Sequence, residues 1–531
     1  MSETTQSLAE PTQGETAQAL YDRLSSLRWI TLERARNCAA VTIPAIQPSQ
    51  WVTDQTELPT PYQSLGARGV NNLTSKLLMA MFPPGQPFFR LDIQHAVAAA
   101  LGESLSEVQE QLSSVENVIT THIEQGQTRP IMAGILKRLI VTGNVLMHIP
   151  DHKNIRHFRL DQYVIVRDAM DKPLRAVVEE ITVAESLRPD VAHACNVVPF
   201  VGPSTAAKKL DDRMVRVYTS ITWNYQTHRV ETFQEINGVK VPGSDGHAPL
   251  DAQEWLALRW HRVPGRDYGM GMVEEYLGDL RSLEALSQAI VQFATAASKI
   301  VLLVHPNSTT NAQEINEAES GDAIVGSKAD VDIFQLEKDA DFNVASNVVQ
   351  SLSQQLSYAF LIQTGVTRQA ERVTAEEIRA TAQELEDALG GVYTVLSEDL
   401  QLPLVNRLMA VLTRDGLIPP LPKEALRPVV VTGFEALGRN QQLNKLRQML
   451  ADMAGAFGPQ AIAQFANFQE IGRRFAVGYG IDDPQSLWKS QPQVAQDGQQ
   501  QAMQDAFVKA APAAAGPIVQ HALSQNQPVA S

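Results

Sequence analysis

Two long amphipathic segments, separated by about 45 residues of short β-type runs, constrain this chain more than any other feature. The first starts at Gly271 and puts Val273, Tyr276, Leu280, Leu283, Ile290, Ala294 and Ala297 near heptad spacing. The second places Ala345, Val348, Leu352, Leu356, Ala359 and Phe360 on one face. Between them, residues 299–343 carry β-type runs at 300–304, 323–325 and 331–336, broken by Pro, Asn, Ser and Gly. The pattern reads as a helical hairpin, a stalk, bearing a small cap, and about 27 residues of helix would reach roughly 40 Å. One hairpin cannot bury both apolar faces by itself, so self-association is expected.

The rest of the chain reads as α+β, predominantly helical. A helix of about six turns is expected over 16–38, and others over 61–81, 104–125 and 130–142. Phe82-Pro83-Pro84-Gly85 stops the second of these. Strands are expected at 145–149, 158–166 and 216–223. After the stalk comes a polar segment without apolar period, 363–372, read as an exposed loop. Thr374 and Glu377 then supply a capping box for a helix running towards Leu412, bent or broken at Gly390-Gly391 and Pro403. Beyond Gly438 a helical region follows. From about Gln491 the chain is rich in Gln, Ala and Pro, the composition of a poorly ordered tail.

Composition narrows the function classes. A net charge of −15 argues against a broad nucleic-acid grip, so any contact with DNA should be local or loose. Cys38 and Cys195 make neither a disulfide framework nor a cysteine metal site, and a reducing cytoplasm fits. The polar, acidic start and the lack of any apolar stretch of about 18 to 20 residues point away from secretion and membrane insertion.

No motif points to catalysis. Gly321 to Lys328 copies the glycine spacing of a phosphate-binding loop, but Ser327 precedes Lys328, the reverse of the order that chemistry needs, and a strand rather than a helix follows. His148, His152 and His157 lie close in sequence, yet Pro150 prevents a helical face from converging the first two. No nucleophile elbow, metal helix or acid–base pair stands out, so no catalytic residue, cofactor or metal is expected. Residues 299–343 hold three lysines against nine carboxylates, a net of −6. Six of those acids, Glu314, Glu317, Glu319, Asp322, Asp330 and Asp332, are candidates for docking a partner, against the blander reading of a solvated acidic face. Arg368, Gln369 and Arg372 are the candidates for touching phosphates, since guanidinium groups on a loop can meet them without reading bases, against the blander reading of solvated side chains or a pairing with Glu371.

Four stretches closely resemble the portal proteins of short-tailed bacteriophages of the Autographiviridae type. They are LYDRLSSLRWITLERARNCAAVTIP from Leu20, QSLGARGVNNLTSKLLMAMFP from Gln63, YGMGMVEEYLGDLRSLEALSQAIV from Tyr268 and ERVTAEEIRATAQELEDALGGVYTVLSEDLQLPLV from Glu371. The resemblance implies a ring, usually of twelve subunits, at one capsid vertex. It implies a wing over 1–271, a first stem helix over 272–298, a clip over 299–343 and a second stem helix over 344–363. A channel loop over 364–373, a long bent helix with a wing return over 374–440, and a crown with a flexible tail over 441–531 complete the plan. Double-stranded DNA would pass through without specific readout. Partners implied are a terminase packaging motor, a tail adaptor, major capsid and scaffolding proteins and internal core proteins, with no membrane. The alternative is an internal scaffold or core virion protein that never contacts DNA.

Overall fold

The computed structural model describes residues 15–49, 56–84, 88–92, 105–126, 128–197, 214–297, 301–306, 311–319, 322–334, 339–362, 375–389, 391–418, 429–431, 439–457, 471–472 and 475. The chain divides into two units, one of residues 1–102 with 115–437, the other of 103–114 with 438–531. The α+β class holds: helices and antiparallel sheets alternate through the first unit.

Thr16 caps α1 (Ala17–Leu27), its hydroxyl accepting from Ala19 N–H at 3.2 Å, and α2 (Trp29–Ala40) follows. The helix expected over 16–38 is divided only at Arg28, whose backbone stays in the αR region and keeps helical bonds, its N–H to Leu24 O at 3.2 Å and its carbonyl accepting from Leu32 N–H at 3.0 Å. Its buried guanidinium donates to the carbonyls of Leu160 at 2.8 Å, Asp161 at 3.1 Å and Tyr163, and to the Tyr21 hydroxyl at 3.2 Å. Holding that many acceptors fixes the guanidinium in place and satisfies its charge away from water.

The first unit continues with α3 (Leu65–Met81), β1 (Arg90–Asp92), α4 (Leu105–Gln125), whose start lies in the second unit, α5 (Thr128–Thr142), β2 (Asn144–His148) and β3 (Arg156–Phe158). Next come β4 (Tyr163–Arg167), β5 (Pro173–Val183), α6 (Pro189–Ala194), β6 (Met214–Asn224), β7 (Arg229–Ile236), β8 (Val239–Lys240), β9 (Gly246–Pro249) and β10 (Trp255–Arg259). Strands β4-β5-β6-β7-β8 form an antiparallel sheet that β9 joins through β7, and β10-β2-β3 form a second. Along β5 the side chains alternate. Ala176 and Val178 join Tyr163, Ile165, Ile221 and Trp223 against Phe158 and Trp255 of the smaller sheet. Val177 turns the other way, to Leu20, Tyr21 and Leu24 of α1. Covered on both faces, β4 reads as a continuous apolar run instead of an alternating one. Each of the α1 side chains contributes about 1.5–3 kcal/mol by leaving water.

The remaining elements are α7 (Met272–Glu275), α8 (Leu277–Ala297), β11 (Val301–Val304), α9 (Ala312–Glu317), β12 (Val331–Phe334), α10 (Asp339–Ala359), α11 (Ala375–Leu389), α12 (Val392–Leu396), α13 (Leu402–Arg414) and β13 (Val429–Val431), which pairs with β1. The run 323–325, expected to be β-type, forms no strand. The second stalk helix starts at Asp339 instead of 344, so two aspartates counted with the cap stand in its first turn, where the helix dipole favours negative charge. Gly391 takes φ 91° between α11 and α12, and Pro403 falls in the first turn of α13, where its missing N–H costs least.

Helix α3 lies in the core. Val70, Leu73, Leu77, Ala80 and Met81 are all at 0% exposure, as are Met132, Ile135, Leu136 and Leu139 of α5, which packs on it. Its final carbonyls, left without intrahelical partners, are met by side chains from the α12 region: Tyr393 OH donates to Ala80 at 3.4 Å and Gln401 Nε2 to Met81 at 2.6 Å. A π-helical turn at Ser397–Gln401 aims Gln401 inward. In the second unit the described helix is α14 (Arg439–Phe457).

A pH dependence follows from β3. Burial, and then the charge of Arg138, push His157 down to about 4. The folded protein therefore holds this imidazole neutral while the unfolded chain, with an ordinary value of about 6.5, binds the proton. Stability from this group is present above about pH 6.5 and is lost as pH falls towards 4. The unfolding temperature should drop between pH 7 and 5, and His157→Gln should lessen that drop; equal slopes in the two proteins would refute the assignment.

Candidate functional site

Helices α8 and α10 pack antiparallel. At one end Tyr276 and Phe360 place their rings 5.9 Å apart, and at the other Phe293 and Phe342 stand at 5.7 Å. Leu280, Leu283 and Leu356 are buried along the seam. The start of α8 is tied down through Glu284, whose carboxylate accepts from the N–H groups of Tyr62 at 2.8 Å and Gln63 at 3.2 Å.

Beyond Phe293 and Phe342, β11 pairs with β12 in the register Val301 to Phe334, Leu302 to Ile333, Leu303 to Asp332 and Val304 to Val331. Local bonds shape the turn that leads into β12. His305 N–H donates to Asp330 O at 3.0 Å, and Ser327 Oγ accepts from Ala329 N–H at 3.3 Å. That last bond is a local turn cap ahead of a three-residue 3-10 helix and β12, so the glycine-spaced segment before it lacks the helix a phosphate loop requires.

The six acids sit on this unit. Glu314 and Glu317 lie on α9, which Asn311 caps, and Glu317 accepts from Gln313 Nε2 at 3.0 Å. Glu319 and Asp322 close a turn, with Glu319 N–H donating to the Asp322 carboxylate at 2.8 Å and Asp322 N–H to Glu319 O at 3.1 Å. Asp332 is exposed on β12 and Asp330 half-buried before it. Among the carboxylates stand exposed apolar side chains: Leu303 at 51%, Ile324 at 42% and Val325 at 81%. The chemistry is that of an acidic surface that also carries exposed apolar groups.

The opposite end of the hairpin is anchored on α3. Leu361 adopts φ 54° and closes α10 with a Schellman motif, Ile362 N–H donating to Ser357 O at 2.8 Å and Leu361 N–H to Tyr358 O at 3.0 Å. A left-handed leucine costs about 1–2 kcal/mol, offset here by burial of its side chain and by Asn72. Asn72 Nδ2 donates to Phe360 O at 3.1 Å and Leu361 O at 2.9 Å. Phe360 fills the notch at Gly69, where an added Cβ would fall 2.6 Å from its ring. One turn on, buried Lys76 meets Glu384 of α11 at 3.1 Å. Arg368, Gln369, Arg372 and the capping residue Thr374 lie outside the described residues, but the helices on either side of them are fastened to the same stretch of α3. Sequence reasoning missed Gly69, Asn72 and Lys76. The available signal was glycine and asparagine inside an otherwise apolar helix.

The histidines do not converge. His148 stacks on Trp255 at 3.8 Å between ring centroids, His152 lies 3.3 Å from Asp415, and His157 is packed against Gly134. Among the described residues there is no cluster of three or more metal-ligating side chains, and no helix is long and apolar enough to cross a membrane.

An acidic ribbon carried on a two-helix stalk and rooted in a mixed α+β body has the form of a structural connector. Comparison with known proteins gives the family. The model of the bacteriophage head to tail connecting protein matches residues 14–486. The portal protein of Enterobacteria phage T3 is 41% identical over 473 residues, 88% of this chain and 87% of that one. That of Escherichia phage T7 is 39% identical over 496 residues, 92% and 91% of the two chains. The portal protein of Pseudomonas phage phiKMV is 28% identical, covering 90% and 93%. Among solved structures, a chain from the neck of an empty gene transfer agent particle covers 69% of this chain and 91% of its own length, at 11% identity and a TM-score of 0.30. The chain belongs to the bacteriophage head to tail connecting protein family. It is a portal-type component of the virion at the head-to-tail junction, structural and not enzymatic.

Phe360 and Gly69 should behave as one packing unit. Phe360→Ala should cost about 3–5 kcal/mol and Gly69→Ala about 1–3 kcal/mol. The double variant should cost less than the two together, because the cavity accepts the added methyl. Urea unfolding of the four proteins measures this; strict additivity would show that the contact is not tight.

Proposed function

We propose that copies of this chain close into a ring, of twelve by family resemblance, whose axial channel carries double-stranded DNA into the capsid and out again. The observation that carries the reading is the α8–α10 hairpin, with an acidic, partly apolar ribbon at one end and, at the other, helices fastened to α3 on either side of the arginine-bearing stretch 363–374 in the sequence. In this reading residues 272–298 and 344–363 are the stem, 299–343 the clip, 1–271 the wing and 441–531 the crown and tail. Glu314, Glu317, Glu319, Asp322, Asp330 and Asp332 ring the outer rim, and dock first the packaging motor and later the tail adaptor. Such partners need basic groups around an apolar contact, because an unpaired carboxylate loses solvation on docking. Capsid, scaffolding and internal core proteins meet the remaining surfaces.

Arg368, Gln369 and Arg372 form the channel loop. A net charge of −15 per copy repels the duplex, while a ring of guanidinium groups at one level meets phosphates locally. That combination keeps DNA centred without the friction of an extended basic surface. Fastening both flanking helices to α3 suits a loop that must hold its place under load.

Electron microscopy of the purified chain should show rings with an axial hole without DNA or nucleotide, and a stable 58.2 kDa monomer at high concentration would sink the reading. Arg368→Glu with Arg372→Glu should leave rings intact while heads fill poorly or lose their genome. Normal DNA content per capsid in that variant would remove the loop assignment.

A further inference from the structure

The middle of the stalk is free of charge. Residues 285–297 and 342–362 contain no Asp, Glu, Lys, Arg or His, in a chain that is 19% charged. Most of this surface is nonetheless open in the single chain. Val344 is 64% exposed, Val348 43% and Tyr358 75%. An open helix pair without charges is poorly suited to permanent contact with water, and the cores of protein interfaces are depleted in charge in the same way.

Two exposed heptad-spaced stripes run along the pair. On α10 they are Val344, Val348, Ser351, Gln355 and Tyr358, and on α8 Gly278, Ser282, Ala285, Ala289 and Gln292. Both step by four, three, four and three residues, the spacing that keeps side chains on one face. The α10 stripe carries the larger groups and the α8 stripe the smaller. Ser282 turns its hydroxyl back onto Gly278 O at 3.0 Å, and nothing stands within 4 Å of where a Gly278 Cβ would be.

The heights match as well. The ring pairs Tyr276–Phe360 and Phe293–Phe342 set the levels of the two antiparallel helices. Counting from them, Tyr358 stands level with Gly278, Ser351 with Ala285, Val348 beside Ala289 and Val344 with Gln292. A rotation axis running along the hairpin preserves height, so large groups of one copy reach small groups of the next without sliding.

We propose that these stripes are the seam between neighbouring copies: Val344, Val348 and Tyr358 of one chain seat in the Gly278, Ala285 and Ala289 stripe of another. The contact is heterologous, two different surfaces meeting, which is the kind that closes into rings. A charged partner does not fit over 285–297 and 342–362, since its charges would be desolvated against side chains that cannot pair them. The open space at Gly278 receives the Tyr358 ring. This rests on the ring reading above and adds where that ring is held together.

The test uses the full-length chain. First the unaltered protein is sized by light scattering; absence of any closed oligomer would remove the ring reading itself. Given rings, Val344→Glu with Val348→Glu should reduce the assembled fraction at least tenfold. The monomer should keep its circular dichroism and unfolding temperature, because both side chains are exposed before assembly. Gly278→Leu provides an independent arm. It fills space that is empty in the single chain, so the monomer should remain folded while rings fail to form. Rings of normal abundance in both variants, with the unaltered protein also forming rings, would overturn the seam.

Discussion

Phe360 in the notch at Gly69 is the contact on which the stalk depends. A helical hairpin is a lever, and its use requires a rigid root. Here the root is one aromatic ring against a helix backbone, with Asn72 holding the two carbonyls at the end of α10. Close packing makes such a contact all-or-none, because a ring lodged where a Cβ would clash has no room to shift by small steps. Helix α3 in turn is fixed by α5, by its apolar residues at zero exposure, and by the Tyr393 and Gln401 side chains that meet its last carbonyls. The hairpin, α11 and the strand-rich body are therefore referred to a single buried helix.

Charge is distributed to match. Carboxylates gather on the β11–β12 unit beyond the Phe293–Phe342 pair, while residues 285–297 and 342–362 of the stalk carry none. Buried cations appear where geometry has to be held. Arg28 gathers the carbonyls of 160–163. Arg407 ties α13 to the end of β2 through Ile149 O at 2.9 Å and Pro150 O at 2.8 Å, and to Glu254 at 2.7 Å. These arginines are positioned by many hydrogen bonds, the condition under which a charge can leave water without large penalty.

Much was legible in the residues alone. Heptad spacing announced α8 and α10, and Gly390-Gly391 and Pro403 marked places where a long helix is interrupted. The short valine- and isoleucine-rich runs at 300–304 and 331–336 contain strands that do pair. Other elements were hidden for identifiable reasons. The carbonyls gathered by Arg28 lie more than 130 residues away in sequence, so its buried role cannot be seen from the helix it sits in. Strand β5 begins with proline and carries Glu179-Glu180 in its middle, so it lacks the pattern of a buried strand although both its faces are covered. The 323–325 run has the right residue types but no neighbouring strand.

The sequence by itself determined the class of fold, the hairpin with its acidic unit, and membership of a head-to-tail connector family, because periodicity, turn residues and long ordered similarity are local properties of the chain. Only the tertiary structure decided which surfaces meet. An apolar face states that it must be covered but not by what. The pairing of Phe360 with Gly69, nearly 300 residues away, emerges when every other face has been satisfied and one notch remains. The same is true of Lys76 and Glu384, and of the level match between Tyr358 and Gly278. Contacts of that kind depend on distances across the fold, and no window along the chain contains them.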